Sequence, residues 1–259
     1  MGRVQNYINS HTTKQKPYDG GGLCCNTNSL LSSSESINPL GLKLSWNDIN
    51  NTPVTAGDVS EWNSLFNLPA NGSPFTSVEV SGNDVYLIGG SGITIATGLF
   101  ANDDNLTLID DQALCIVRID HDAFDECNSL TDATLNACIT FGAKAFGLCD
   151  TLQTFTANAA ITFGNLCFAS SSLLLTINAP NATTIADNCF RDMVNLTELT
   201  LPSCTALGST VGNNSVFDGI SGNNFTLTIP AALMTCNAGN PDGDIQYLQA
   251  HNTVTIIQV

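Results

Sequence analysis

At 259 residues the chain is long enough to bury a sizeable core. Its 43% hydrophobic and only 12% charged residues speak against a disordered acidic protein and predict a surface of Asn, Thr, Ser and Gly instead of ions. The net charge of −16, from 23 acidic against 7 basic residues, repels phosphates and anionic lipid and argues against nucleic-acid binding.

Residues 1–42 stand apart. They hold Arg3, Lys14 and Lys16 against Asp19 and Glu35, a net +1 that leaves −17 for the rest. Gly20-Gly21-Gly22 and the Ser-rich stretch from Ser29 to Ser36 give no sustained periodicity, so this segment reads as an extended arm or linker, either a floppy tail or a segment that orders only against a partner. Its polar start lacks the apolar stretch of a signal peptide, and no run reaches the roughly 20 apolar residues that span a bilayer, so no membrane insertion is expected.

Residues 43–89 read as a small α+β lead-in module. The stretch from Leu42 to Trp46 alternates as a strand does, and Thr55 to Phe66 has the pattern of a helix capped by Thr55 or Asp58, with Pro69 beyond its end. From Thr76 to Ile88, VEV, a Gly-Asn-Asp turn and VYLI form a hairpin signature.

From residue 90 to 235 the sequence repeats. Phe100, Phe124, Phe146, Phe168 and Phe190 are spaced by 24, 22, 22 and 22 residues. Six residues after each stands Leu106, Leu130, Leu152, Leu174 or Leu196. Five before each stands Ile95, Ile119, Phe141, Phe163 or Ile185, and nine after stands Ile109, Ala133, Phe155, Ile177 or Leu199. Periods of 20 to 50 residues mean stacked architectures, because one unit alone cannot bury its apolar positions. Each unit is expected to supply a short parallel strand, as from Leu130 to Leu135. A sixth, irregular unit centres on Phe217, with an insertion near Gly208 to Ser215 expected to bulge from one face. Residues 236–259 break the period with a helix and a strand, as an end cap does.

The units beginning Ile119-Asp-His-Asp-Ala-Phe-Asp-Glu-Cys, Phe141-Gly-Ala-Lys-Ala-Phe-Gly-Leu-Cys and Ile185-Ala-Asp-Asn-Cys-Phe-Arg-Asp-Met, each running on to a Leu, resemble the BspA-type leucine-rich repeat, and Leu201-Pro202 fits the end of its strand. Cys167 and Cys189 take the usual Ala column, and Ser171 and Met193 replace the Cys seen at Cys127 and Cys149. The resemblance implies a leucine-rich-repeat solenoid, mainly short parallel strands joined by irregular or short helical turns. It also implies adhesion or protein recognition at surfaces of bacteria, certain protists and their phages, without catalysis. The lead-in is similar to modules in virion proteins of phages infecting Bacteroidota.

The chemistry-bearing residues form no catalytic constellation. His11, His121 and His251 sit in no metal or nucleophile signature. The acids between Asp103 and Asp132 suggest calcium or a glycosidase pair, but neighbouring units carry Lys144, Gly147 and Leu148 at equivalent places, so they read as solvated surface. Asp242 and Asp244 read as turn and helix-capping residues. The ten cysteines lack CxxC pairs and are expected reduced, with Cys127 and Cys149, and Cys167 and Cys189, stacked one rung apart. No catalytic, metal or cofactor residue is therefore expected. The expected protein is a non-enzymatic virion spike, fibre or decoration subunit. Its arm would dock on other virion proteins, its body would present a surface to a host receptor, and homo-oligomerisation would be usual for the class. A bacterial cell-surface adhesin and a passive spacer are the alternatives.

Overall fold

The computed structural model describes residues 41–68, 70–209 and 215–259. The arm up to residue 40, Pro69 and residues 210–214 of the expected insertion lie outside the described residues. Gly41 and Leu42, placed in the arm from sequence, belong to the body. Leu42 opens β1 (Leu42–Trp46) and is fully buried.

The lead-in continues with α1 (Val59–Leu65), β2 (Ser77–Ser81) and β3 (Asp84–Ile88). Asp58 caps α1, its carboxylate accepting from the N–H groups of Ser60 and Glu61 that the helix leaves without partners. The β2–β3 hairpin turns at Gly82, whose φ of 61° lies where a Cβ is disfavoured.

The units then supply β4 (Ile93–Ile95), β5 (Leu106–Asp111), β6 (Ile116–Ile119), β7 (Asp132–Thr134), β8 (Thr140–Phe141), β9 (Thr154–Thr156), β10 (Thr162–Phe163), β11 (Thr176–Asn178), β12 (Thr184–Ile185), β13 (Glu198–Thr200), β14 (Ala206–Leu207) and β15 (Asn224–Ile229). The chain closes with α2 (Gly243–His251) and β16 (Thr253–Gln258).

Each regular unit carries two strands, not the single one expected. The longer strands align as β2-β3-β1-β5-β7-β9 and β11-β13-β15-β16, the shorter as β14-β12-β10-β8-β6-β4. Pairing between units is parallel and one whole repeat apart, as in Ala133 opposite Phe155 and Phe141 opposite Phe163. This is the stacked parallel-strand solenoid that the periodicity predicts, of the leucine-rich-repeat kind that the resemblance implies. The lead-in shares its sheet, since β1 pairs antiparallel with both β3 and β5.

A third ladder, without strand geometry, links the units where the chain turns at the phenylalanine. Phe124 donates its N–H to Ala145, Phe146 to Cys167 and Phe168 to Cys189. Two residues to either side of the phenylalanine the backbone is left-handed, at Asp122 and Glu126, Lys144 and Leu148, Leu166 and Ser170, Asn188 and Asp192. Seven of these residues, Asn188 apart, donate to the next unit, as Asp122 does to Ala143 and Glu126 to Gly147, so the unusual φ turns their N–H groups along the stack.

Inside these ladders the rings of Phe100, Phe124, Phe146, Phe168, Phe190 and Phe217 form one continuous stack, with centroids 5.1 to 6.1 Å apart and planes within 16°. Leu106, Leu130, Leu152, Leu174 and Leu196 are buried beside it. The lead-in closes one end with aromatic rings, Trp46 on Trp62 at 5.8 Å, Trp62 on Phe66 at 6.3 Å and Phe66 on Phe100 at 6.0 Å. At the other end Phe225 meets Phe217 edge-on, and Ile245 and Leu248 of α2 are buried.

Candidate recognition face and polar clusters

Packing fixes the inward columns, so any recognition falls to the outward ones. On the longer strands every second residue points away from the core. The resulting rows are Asp132, Thr154, Thr176, Glu198 and Thr226, and beside it Thr134, Thr156, Asn178, Thr200 and Thr228, with side chains exposed or half-buried. Hydroxyls and methyls dominate this face. Its two carboxylates differ: Asp132 accepts from the hydroxyls of Thr131 and Thr154, whereas among the described residues no such partner holds Glu198.

Many other Asn, Thr and Ser side chains serve the stack itself. Thr151 donates to the carbonyls of Asn128 and Leu130, Asn181 to Asn158, Asn195 to Ser172, Ser203 to Pro180 and Asn223 to Val194, each reaching back one unit. The uncharged polar composition is therefore partly a hydrogen-bonding framework for loop carbonyls that strands leave open.

The acidic stretch is dispersed by the fold. Asp103 accepts from Asn105 and Leu106 N–H and from the Trp46 indole, which pins the lead-in to the first unit. Asp104 holds Asn128, Asp110 holds Gln112, and Arg118 pairs with Asp120. Asp111 is buried and accepts from the N–H groups of Cys115 and Ile116 and from the Cys115 thiol, closing the turn of the longer first unit. Burial pushes its carboxyl up despite these bonds. Among the described residues no three acids, histidines or cysteines converge as metal ligands. His121 accepts from the Ala143 N–H through Nδ1, and His251 contacts the Tyr247 carbonyl and ring.

A cleft of about 180 Å³ opens on the turn ladder, lined by Asp125, Lys144, Gly147, Leu148, Ser170 and Arg191 among others. It exists because Gly147 and Ala169 are small where neighbouring units carry Asp125 and Arg191. Lys144 Nζ lies 3.7 Å from Asp125, and Arg191 lies 3.3 Å from Asp192 and 3.7 Å from Asp218. Desolvation raises the Asp125 carboxyl. The cleft is too small to enclose an extended substrate.

The described cysteines are linked by no disulfide, and all but Cys236 are buried. Cys127 donates to the Phe100 carbonyl and Cys149 to the Phe124 carbonyl, each at 3.0 Å. Ser171 takes the same column and donates to Phe146 at 2.7 Å. Burial pushes the Cys127 thiol up to about 12, which removes it from nucleophilic chemistry. Asp242 caps α2 as expected, but Asp244 goes further. It is fully buried, and its Oδ1 accepts from Val216 N–H at 2.7 Å, tying α2 to the last turn.

No curated protein matches the chain. Residues 93–220 match the family described as the BspA type leucine rich repeat region, in six copies. Among solved structures, a leucine rich cell surface protein from Faecalibacterium prausnitzii A2-165 aligns at 23% identity with a TM-score of 0.41, over 49% of this chain and 33% of that one. A leucine-rich repeat protein from Bacteroides ovatus ATCC 8483 aligns at 15% identity with a TM-score of 0.33, over 59% and 56%. The chain thus spans a third to just over half of the length of these neighbours.

Proposed function

From the match of residues 93–220 to the BspA type leucine rich repeat region, we propose that the chain is a non-enzymatic surface protein whose strand face performs adhesion or recognition. The observation that carries this reading is the division of labour along each longer strand. Ala133, Phe155, Ile177 and Leu199 are spent on the core, while Thr134, Thr156, Asn178 and Thr200 beside them face outward, exposed or half-buried. A hydroxyl-rich face with few charges suits an uncharged polar partner, such as a glycan or a polar protein surface.

The finer reading is a virion spike, fibre or decoration subunit on a phage. It rests on the resemblance of the lead-in to phage virion modules and on the charge contrast between the arm and the −17 body. The arm would dock on other virion proteins and the repeat body would face a host receptor. Deletion of residues 1–40 should abolish incorporation into particles while leaving a folded body; incorporation of the truncated chain would overturn the docking role. A cell-surface adhesin differs by fractionating with the bacterial envelope.

Recognition itself is tested with labelled full chain on Bacteroidota cells beside a Thr156→Gln/Thr200→Gln variant, which enlarges two outward side chains without charge. At least a tenfold loss of binding with unchanged thermal stability is expected. Equal binding by both would move recognition off this face, and no binding by either would leave the solenoid a spacer.

A further inference from the structure

The small residues that open the cleft on the turn ladder leave a buried acceptor beside it. One place after each phenylalanine the units carry Ala101, Asp125, Gly147, Ala169, Arg191 and Asp218, and only at Gly147 and Ala169 do two small residues follow one another. The backbone at Gly147 is not left-handed, so the turn does not call for glycine. Its missing side chain gives room instead: a Cβ at Gly147 would lie 2.6 Å from Asp125 Oδ1. That oxygen is buried and has no hydrogen-bond partner among the described residues. Leaving a carboxylate oxygen so is costly, and nearly all buried polar groups in folded proteins are paired, which points to a donor from outside the chain.

The rest of the lining narrows the chemistry of that donor. Lys144 Nζ stands 3.7 Å from the other oxygen of Asp125, and Arg191 Nε stands 3.3 Å from Asp192, so two acid–base pairs border the cleft. Lys144 and Arg191 are two of the four Lys and Arg among the described residues, and both are nearly half exposed. Each pair sets an acceptor beside a donor without net charge. An ion would meet one attractive and one repulsive group at either pair. A hydroxyl both donates and accepts, and two vicinal hydroxyls can use both members of a pair at once. Ser170 adds a further hydroxyl. The units of Gly147 and Ala169, which lie between those of Asp125 and Arg191, supply an apolar floor together with Leu148 and Leu166. A neutral hexose ring matches this pattern, with C–H groups for the floor and hydroxyls for the rim.

We propose that the cleft binds one neutral hexose unit of a glycan. Asp125 Oδ1 accepts from one ring hydroxyl while Lys144 donates to its neighbour, and the Arg191–Asp192 pair meets the far edge of the ring. The volume of about 180 Å³ suits a single ring, and the open side leaves the glycosidic oxygen free to continue the glycan. A ligand of so few atoms binds weakly, with a Kd of about a millimolar. The site lies on the turn ladder and uses no residue of the strand face, so the two readings stand or fall separately.

Titration of the isotope-labelled full chain with the methyl glycosides of glucose, galactose and mannose, followed by amide NMR shifts, tests this. At least one should give saturable shifts centred on Gly147, Ala169 and Arg191. Asp125→Ala and Ala169→Arg each install a residue that another unit carries in the same column, so circular dichroism should match that of the parent chain. Affinity should fall at least tenfold in both. No shift at these amides with any of the three sugars up to about 100 mM overturns the inference, including the case in which the cleft seats only a side chain of a partner protein. Affinity unchanged by either substitution overturns it too, as does tighter binding of glucuronate or glucosamine than of the neutral sugars.

Discussion

Ser171 occupies a column where two other units place cysteine, and its buried hydroxyl both donates to the Phe146 carbonyl and accepts from the Cys149 N–H at 3.2 Å. Ser171→Ala leaves both groups without this partner and should cost about 1–3 kcal/mol in chemical denaturation, while Ser171→Cys, which keeps a donor as Cys127 does, should cost less than half of that. This role is only half legible in sequence: the spacing identifies a small buried column, but cysteine reads as a packing residue, and only its replacement by serine hints at a donor. Asp244 reads as a helix-capping residue because burial is invisible from an Asp-Gly-Asp turn. Burial, with Asp242 and Asp187 nearby as lesser causes, raises its carboxyl from 3.8 to about 7. The folded state therefore holds this proton where the unfolded chain has released it. The group's contribution is most favourable below 3.8, declines as pH rises to about 7 and is constant above. Asp244→Asn should gain stability over the parent at about pH 8, by a few kcal/mol at most, and the gain should vanish near pH 4. Paired urea titrations at the two pH values measure it.

Phe146 shows what the stack contributes as an element. Its ring touches Phe124 and Phe168 face to face and Phe155 edge-on, and it is fully buried. Phe146→Ala should cost about 3–5 kcal/mol. Because each unit contacts only its neighbours, the loss should also split thermal unfolding, monitored by calorimetry, into two transitions flanking the weakened unit. The ladder is legible because a burial requirement repeated at a fixed spacing leaves the same residue types in the same columns. The second strand is not, since two residues such as Thr140–Phe141 or Thr184–Ile185 are too short to show alternation. The left-handed turn residues are hidden for another reason. Glycine marks such positions elsewhere, but here Asp122, Lys144, Leu148 and Leu166 adopt them, held by bonds to the next unit that no local pattern encodes. Leu148 is partly exposed at φ 54°, so Leu148→Gly should stabilise by about 1 kcal/mol through relief of that conformation, seen as a higher midpoint in the same denaturation.

At the scale of the whole molecule, charge works against the stack. Lys43, Arg118, Lys144 and Arg191 each lie against a carboxylate, so the described body has no unopposed Lys or Arg to balance its remaining acids. Successive units sit about 4.8 Å apart, well inside the Debye length of roughly 10 Å at 0.1 M salt, so acids on neighbouring units repel one another more when salt is low. Asp120, Asp122, Asp125 and Glu126 crowd one turn, and of these Asp120 and Asp125 are partnered by cations. Folding brings these charges closer than they lie in the extended chain, so screening stabilises the folded state more than the unfolded one. The midpoint of thermal unfolding should therefore rise by several degrees between about 10 mM and 500 mM NaCl. Asp122→Asn isolates the cause: asparagine tolerates the left-handed backbone there, so the variant should exceed the parent at low salt and converge with it at high salt. Parallel curves for the two chains would instead assign the salt effect to general solvation.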